Sequence, residues 1–135
     1  MRAPDSTRLT VRWRDRDPLG HVNFVVFLTY LEEGLNAWLG KVLGPGFDPK
    51  QYVVARVELD FLGEIPGDAA YVETHHSVKD VGRSSVTFDE SLCVADGATV
   101  AEGRVVIVMW DPDLHHHRLL SSQEHDALVG AVTEI

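Results

Sequence analysis

Between Thr7 and Arg14 apolar and polar residues alternate one for one, with Leu9, Val11 and Trp13 on one side and Arg8, Thr10, Arg12 and Arg14 on the other. That period of two predicts a half-buried strand. The period then changes. Phe24, Phe27, Leu28, Leu31, Leu35, Trp38 and Val42 recur at spacings of three and four, with Thr29, Glu32, Glu33 and Asn36 on a narrower polar side. A mostly buried helix of at least about four turns is expected there. Gly44-Pro45-Gly46-Phe47-Asp48-Pro49 ends it, because two prolines and two glycines cannot continue a helix. Everything beyond reads as sheet. Val57, Leu59 and Phe61 alternate with Arg56, Glu58 and Asp60, and a turn follows at Gly67-Asp68. Val72 to Val78 make the next run, Val81-Gly82-Arg83 a turn, and Val86, Phe88 and Leu92 another run. Asp96-Gly97 is the sharpest hairpin signal and leads into Ala101 to Trp110. Four long strands with short connections predict an antiparallel meander, with the first strand joining its edge. One long apolar helix and one sheet have one sensible arrangement, in which the sheet curves around the helix and buries its wide apolar face. Ser121-x-x-Glu124 forms a capping box ahead of Ala127, Leu128, Val129 and Val132, which predicts a short C-terminal helix. The expected class is α+β, a long central helix wrapped by a five-stranded antiparallel sheet.

At 135 residues the chain makes a single domain over residues 1–135, large enough to bury a core without disulfides or metals. Apolar residues make up 44% and charged residues 24%, as in ordinary globular proteins, so the chain is expected to fold. The lone Cys93 excludes an intramolecular disulfide and points to a reducing, cytoplasmic setting. Met1 to Arg14 has no apolar signal region, and no run approaches the roughly 18 apolar residues of a membrane span, so no membrane association is expected. A net charge of −9 repels nucleic acid and anionic membranes over about 10 Å, which argues against both as partners. Arg2, Arg8, Arg12, Arg14 and Arg16 are crowded into the first sixteen positions. They make either a local site for a phosphate-bearing ligand or simply a solvated strand face.

The segment Asp15-Arg16-Asp17-Pro18-Leu19-Gly20-His21-Val22-Asn23 concentrates polar side chains between the first strand and the helix. Asp17, Pro18 and Gly20 fit positions i, i+1 and i+3 of a type I turn, and Asn23 suits a helix N-cap, a role worth about 1 kcal/mol. Asp17, His21 and Asn23 are the candidate catalytic residues. A carboxylate at 17 can act as nucleophile or base, and the free amides near Asn23 and Phe24 sit at the positive end of the helix dipole. His21 either orients the carboxylate, binds substrate or is a surface residue. His115-His116-His117 invites a metal reading, but consecutive side chains point different ways and no second cluster lies at ligand spacing, so no metal site is expected. His75 and His76 lie in one strand, where at most one can enter a site.

Taken together, the order of strand, Asp-x-Asp-x-x-Gly-His-Val-Asn turn, long helix and four strands resembles the hot-dog fold acyl-CoA thioesterases, in particular the 4-hydroxybenzoyl-CoA thioesterase-like family. The likeness covers nearly the whole chain and includes Phe27-x-x-Tyr30-Leu31-Glu32, Phe61-Leu62-Gly63-Glu64-Ile65-Pro66-Gly67-Asp68 and Val81-Gly82-Arg83-Ser84-Ser85-Val86. It implies that Asp17 is the catalytic carboxylate, that the His-Val-Asn segment maps onto His21 to Asn23, and that an acyl-CoA is the substrate with no cofactor. Gly20, Phe24, Phe27, Arg83, Ser84 and Ser85 become the expected substrate-binding residues. Arg83 suits coenzyme A phosphates through its guanidinium fork, or is merely an exposed hairpin-tip charge. Glu32 resembles a family position, but a solvated or inter-subunit ion pair is its expected role. Many relatives carry a second Asn and a Tyr where this chain has Phe24 and Phe27, which implies a more apolar cleft. The resemblance further implies a homodimer, often a dimer of dimers, with active sites shared between subunits. The main alternative is a non-catalytic acyl-CoA-binding module, which the altered positions 24 and 27 favour. Enoyl-thioester hydration is disfavoured by the absence of an Asp-x-Asn-Pro-x-His pattern, and a regulatory role by the absence of a preceding DNA-binding segment.

Overall fold

The change of period at residue 24 marks the start of the longest element, α1, Phe24–Leu43. The computed structural model describes residues 6–132. Asn23 caps α1 by accepting a hydrogen bond from the Val25 amide, and Gly44, at φ 89°, lets the chain leave the helix in a conformation that a side chain would resist. Around α1 lie β1 (Thr7–Thr10), β2 (Tyr52–Phe61), β3 (Tyr71–Val81), β4 (Ser85–Val94), β5 (Thr99–Asp111), the two-residue β6 (His116–His117) and the closing α2 (Ser122–Gly130). The period-two expectation holds best in β4, where Val86, Phe88, Glu90, Leu92 and Val94 are buried in alternation with half-exposed residues. Ser121 and Glu124 cap α2 reciprocally as their spacing predicts.

The curled antiparallel sheet around one long helix is the hot-dog arrangement, with strand order β1-β3-β4-β5-β2 and β6 appended to β5. This corrects the expected four-strand meander. Only β3, β4 and β5 follow one another. β2 lies at the far edge and pairs antiparallel with β5, from Tyr52 opposite Met109 to Phe61 opposite Ala101. The expected Gly67-Asp68 turn is present, with the Ala69 amide donating to the Pro66 carbonyl at 3.0 Å, but it lies within a longer segment, residues 62–70. That segment carries the chain across the end of the sheet, anchored by Ile65 at 1% exposure. The first strand also stops at Thr10 rather than Arg14. Trp13–Asp15 form a 3₁₀ turn that leaves Trp13 88% exposed, because the Asp15 carboxylate takes the Arg12 amide and bends the chain.

The core fills the concave side of the sheet in two clusters. One, with Phe27, Tyr30, Leu31, Val72, Leu92 and Ala101, surrounds the start of α1. The other, with Trp38, Leu39, Val78, Phe88, Ile107 and Leu128, surrounds its end and brings in α2. The apolar stripe is not buried throughout: Phe24 and Leu28 stay exposed along the seam between α1 and β2. Among the described residues no helix is long and apolar enough to cross a membrane.

Where α1 crosses β3 the Gly34 backbone rests on the Thr74 side chain, so that a Cβ at Gly34 would overlap Thr74 Oγ1. Gly34→Ala is therefore expected to destabilise the fold by about 1–3 kcal/mol through overpacking, despite the roughly 1 kcal/mol that alanine gains in a helix. A urea midpoint that falls with an unchanged slope is the expected reading.

Candidate active site

The loop between β1 and α1 is held by two arginines that point inward. Arg12 donates from its amide and its Nε to Asp15 Oδ2 (2.9 and 3.1 Å) and from Nη2 to Glu33 Oε1 on α1 (2.9 Å). Tyr30, also on α1, donates its hydroxyl to the same Asp15 oxygen at 2.8 Å. Burial alone would push the Asp15 carboxyl up, but the Arg12 amide, the Tyr30 hydroxyl and the Arg12 guanidinium together hold it below the usual carboxylate range. Tyr30 moves the other way, its hydroxyl pushed up by burial and by the adjacent Asp15. Arg16 clamps three carbonyls, donating from Nε to Gly67, from Nη2 to Ala69 (2.9 Å) and from Nη1 to Arg12 (3.1 Å). Gly67 is packed so tightly against the Gly20 carbonyl that no side chain fits there. Of the five crowded arginines, Arg12 and Arg16 are thus taken up by the fold, the Arg8 guanidinium lies 3.9 Å from the centre of the Tyr71 ring, Arg14 is exposed, and Arg2 lies outside the described residues.

Asp17 begins the predicted turn. Its carbonyl accepts from the Gly20 amide at 2.9 Å, and its own amide donates to the His21 carbonyl at 2.7 Å. Its carboxylate Oδ1 accepts from the amides of Leu19 (2.9 Å) and His21 (3.1 Å). Among the described residues Oδ2 has no hydrogen-bond partner. One oxygen is thus fixed while the other is unengaged, the arrangement a positioned nucleophile or base needs. Gly20 has φ 80°, which permits the exit from this turn. The His21 side chain is exposed. Asn23 Oδ1 is occupied by the Val25 amide at 2.9 Å, so the N-cap role is observed. The Val26 amide bonds the Asn23 carbonyl, which leaves the Phe24 amide as the first-turn donor without a partner among the described residues.

The exposed ring of Phe24 meets Phe61 of β2 edge-on at 5.6 Å between ring centres. Phe27 packs on the same ring but is 3% exposed and belongs to the core. Beyond these rings, a slot of about 160 Å³ runs between α1 and β2. Leu28, Leu31, Leu35, Val54, Val57 and Val105 make it apolar, and Glu32 and Glu90 also line it. Tyr52 closes its far end and donates to Asn36. Burial and the nearby Glu32 push the Tyr52 hydroxyl up to about 12.

Arg83, Ser84 and Ser85 are not brought to this loop. They form the β3–β4 turn, beside a separate cleft with Ser121, Ser122 and His125 at the start of α2. The eleven residues of β3 separate the two ends of the sheet, and at about 3.3 Å per residue that is roughly 30 Å within one protomer. His115 turns the chain at φ 57°, and His116 and His117 pair with Asp111 and Trp110, all three exposed. Among the described residues no three His, Cys, Asp or Glu side chains converge as metal ligands. The sequence reading missed Arg16 and Tyr30 as the supports of the loop, and also a buried pair, His76 and Glu90. That pair was signalled by the alternation itself, since both positions fall in the inward register of their strands.

A family model for the thioesterase-like superfamily matches residues 11–121. The chain belongs to this superfamily. No curated protein matches it significantly. Among solved structures, a thioesterase of Thermus thermophilus complexed with coenzyme A and zinc is 29% identical, with a TM-score of 0.80 over 93% of this chain and 92% of that one. A predicted thioesterase of Bacillus stearothermophilus aligns with a TM-score of 0.83 at 23% identity, covering 96% of this chain and 97% of that one. A thioesterase-superfamily protein of Jannaschia sp. CCS1 gives 0.84 at 20% identity over 99% of both chains, and at that identity the likeness speaks for the fold.

For this superfamily member the support under the loop carries its own pH dependence. Asp15 has a lowered folded pKa, so its stabilisation is present above the unfolded value near 3.9 and is lost as pH falls through the folded value. Asp15→Asn should flatten the dependence of stability on pH below about pH 4, read from denaturant unfolding at a series of pH values. Tyr30→Phe, which takes a donor from a buried carboxylate, should cost about 1–3 kcal/mol in the same measurement at neutral pH.

Proposed function

We propose that this protein hydrolyses acyl-CoA thioesters with Asp17 as the reacting carboxylate. The observation that carries the reading is the Asp17 side chain: Oδ1 is tied to two amides of its own loop while Oδ2 is unengaged, a few residues ahead of the first amide of α1. Oδ2 either attacks the thioester carbonyl, forming an anhydride that water then opens, or takes a proton from the attacking water. In both routes the C–S bond breaks and coenzyme A leaves as the thiol. The carbonyl oxygen gains negative charge at the Phe24 amide, with the dipole of α1 behind it, and one such donor is worth about 10²–10³ in rate. No cofactor enters this chemistry. The coenzyme A bound by the Thermus relative supports the choice of thiol.

The reading includes a homodimer with shared sites. β2 is an edge strand, and beside it Phe24, Val25, Leu28, Val54, Val57 and Phe61 expose apolar surface along the seam with α1. An unpaired edge of this kind is a template for another strand. Antiparallel pairing of two β2 strands about a two-fold axis joins the sheets and sets the Phe61 end of one protomer beside the Tyr52 end of its partner. Tyr52 is opposite Met109, whose amide bonds Ser84, so the partner's Arg83 comes to the Asp17 side. This reconciles two predicted site regions that lie apart in one protomer, and Arg83 then supplies the fork for coenzyme A phosphates. The alternative, binding without turnover, draws on Phe24 and Phe27 standing where relatives carry polar residues. A cytoplasmic setting accords with the lone Cys93.

Free thiol released from an acyl-CoA panel tests the activity. Asp17→Asn keeps Oδ1 for both loop amides, so it should lower kcat/KM by about 10²-fold or more with the melting temperature unchanged. Tight acyl-CoA binding without thiol release by the wild type would establish the binding module instead. For the shared site, Asp17→Asn and Arg83→Ala proteins, each weakly active alone, should recover roughly a quarter of wild-type activity when mixed and allowed to exchange subunits. Mixtures no more active than their parts would show that each protomer works alone.

A further inference from the structure

The buried His76–Glu90 pair is the one set of titratable side chains in the core, among the described residues, that neither the loop nor the proposed chemistry uses. The two residues are cross-strand partners in β3 and β4, His76 Nε2 lies 3.1 Å from Glu90 Oε1, and their side chains are 1% and 3% exposed. Such a pair is expensive to desolvate unless all its polar atoms are satisfied. Here Oε1 is taken by His76, while Glu90 Oε2 has no hydrogen-bond partner among the described residues and keeps contact with solvent, since the fully buried unpaired side-chain atoms are Trp38 Nε1 and Thr74 Oγ1. Glu90 also lines the slot between α1 and β2. The sheet leaves it uncovered. Between Glu90 and Leu59, in register with both, stands Gly103, which presents no side chain, and β2 passes so close that none would fit. The slot walls are otherwise apolar apart from Tyr52, whose hydroxyl is taken up by Asn36, and Glu32, which sits on the exposed side of α1.

The position of Glu90 relative to the proposed reacting end fixes what would reach it. It stands level with Leu59, two residues along β2 from Phe61, the residue that packs on Phe24 at the start of α1. Two strand residues span about 6.6 Å. The slot volume of about 160 Å³ matches a cavity that takes a ring or a short chain of about six carbons. A thioester seated at the Phe24 amide would direct its acyl group down this seam, past Leu28 and Leu31, with its far end against Glu90.

Resting on the thioesterase reading, we propose that Glu90, oriented by His76, is a specificity-determining residue. It selects medium acyl groups whose far end carries a hydrogen-bond donor over plain hydrocarbon chains of the same length. An apolar acyl end filling the slot would shut the Glu90 oxygen off from solvent with no partner, whereas a hydroxyl or ammonium satisfies it. Sites built to bond a polar substrate group discriminate strongly against the analogue that lacks it.

The test compares hexanoyl-CoA with 6-hydroxyhexanoyl-CoA and 6-aminohexanoyl-CoA. Wild type should prefer at least one donor-bearing chain by about tenfold or more in kcat/KM, and which one identifies the donor as neutral or cationic. Glu90→Gln, which keeps an acceptor, should retain a preference for the hydroxyl and lose any for the ammonium. Glu90→Leu should abolish both preferences and raise activity on hexanoyl-CoA. A wild-type preference for hexanoyl-CoA over both, or ratios untouched by Glu90→Leu, overturns the proposal. If Glu90→Leu does not fold, the wild-type ratios and Glu90→Gln decide. Binding of the corresponding thioether analogues, which cannot be hydrolysed, separates the two readings. A donor preference in binding with no thiol release overturns hydrolysis alone, and hydrolysis without a donor preference overturns this assignment alone.

Discussion

The buried Asp15 carboxylate ties together three parts of the chain that would otherwise be independent. It takes the amide and guanidinium of Arg12, just beyond the first strand, and the hydroxyl of Tyr30 in the second turn of α1. A carboxylate this buried is tolerated only while its donors remain, and removing one leaves a charge that the interior cannot solvate. The result is a rigid junction between strand, loop and helix. Arg16 extends the junction by gripping the carbonyls of the β2–β3 crossing, so the loop bearing Asp17 is clamped from both sides. The first aspartate of the Asp-x-Asp pattern is structural, and the second keeps one carboxylate oxygen unengaged.

The long helix does two different jobs along its length. Its C-terminal half is core, with Trp38 edge-on to Phe88 and α2 packed beside it. Its N-terminal half buries Phe27, Tyr30 and Leu31 against the sheet and the loops at its end, while Phe24, Val25 and Leu28 remain exposed beside the β2 edge. Apolar exposure on that scale, along an unpaired strand, is what an isolated protomer would bury by association. The slot opens on the same seam, so the surface that pairs subunits and the surface that takes an acyl group are neighbours. Pocket shape and assembly are therefore coupled.

Much of the fold was legible because burial imposes its period on the chain. The helix from Phe24, the strands at 72–78, 86–92 and 101–110, the Asp96-Gly97 hairpin and the Ser121-Glu124 cap all follow from side-chain direction and local turn chemistry. Strand order did not follow. Local rules favour neighbours in sequence, but β2 pairs with β5, because residues 62–70 carry Ile65 into the core at the sheet end instead of turning back. The Asp17 turn and the Asn23 cap were visible as motifs, since each is a local hydrogen bond. Arg16 and Tyr30 were not visible as supports of the site, because the partners that make them so lie fifteen or more residues away.

The sequence alone determined the identities and spacing of the elements, the turn at Asp17 and the membership that its motifs suggested. These depend on interactions within a few residues. Tertiary structure alone decided which aspartate is consumed by the scaffold, where β2 lies, and that Glu90 faces a slot with an unpaired oxygen. It also decided that Arg83 stands at the opposite end of the sheet from Asp17. Each of these is a meeting of residues distant along the chain, fixed by how one helix and one curled sheet share a core, and no local pattern encodes it.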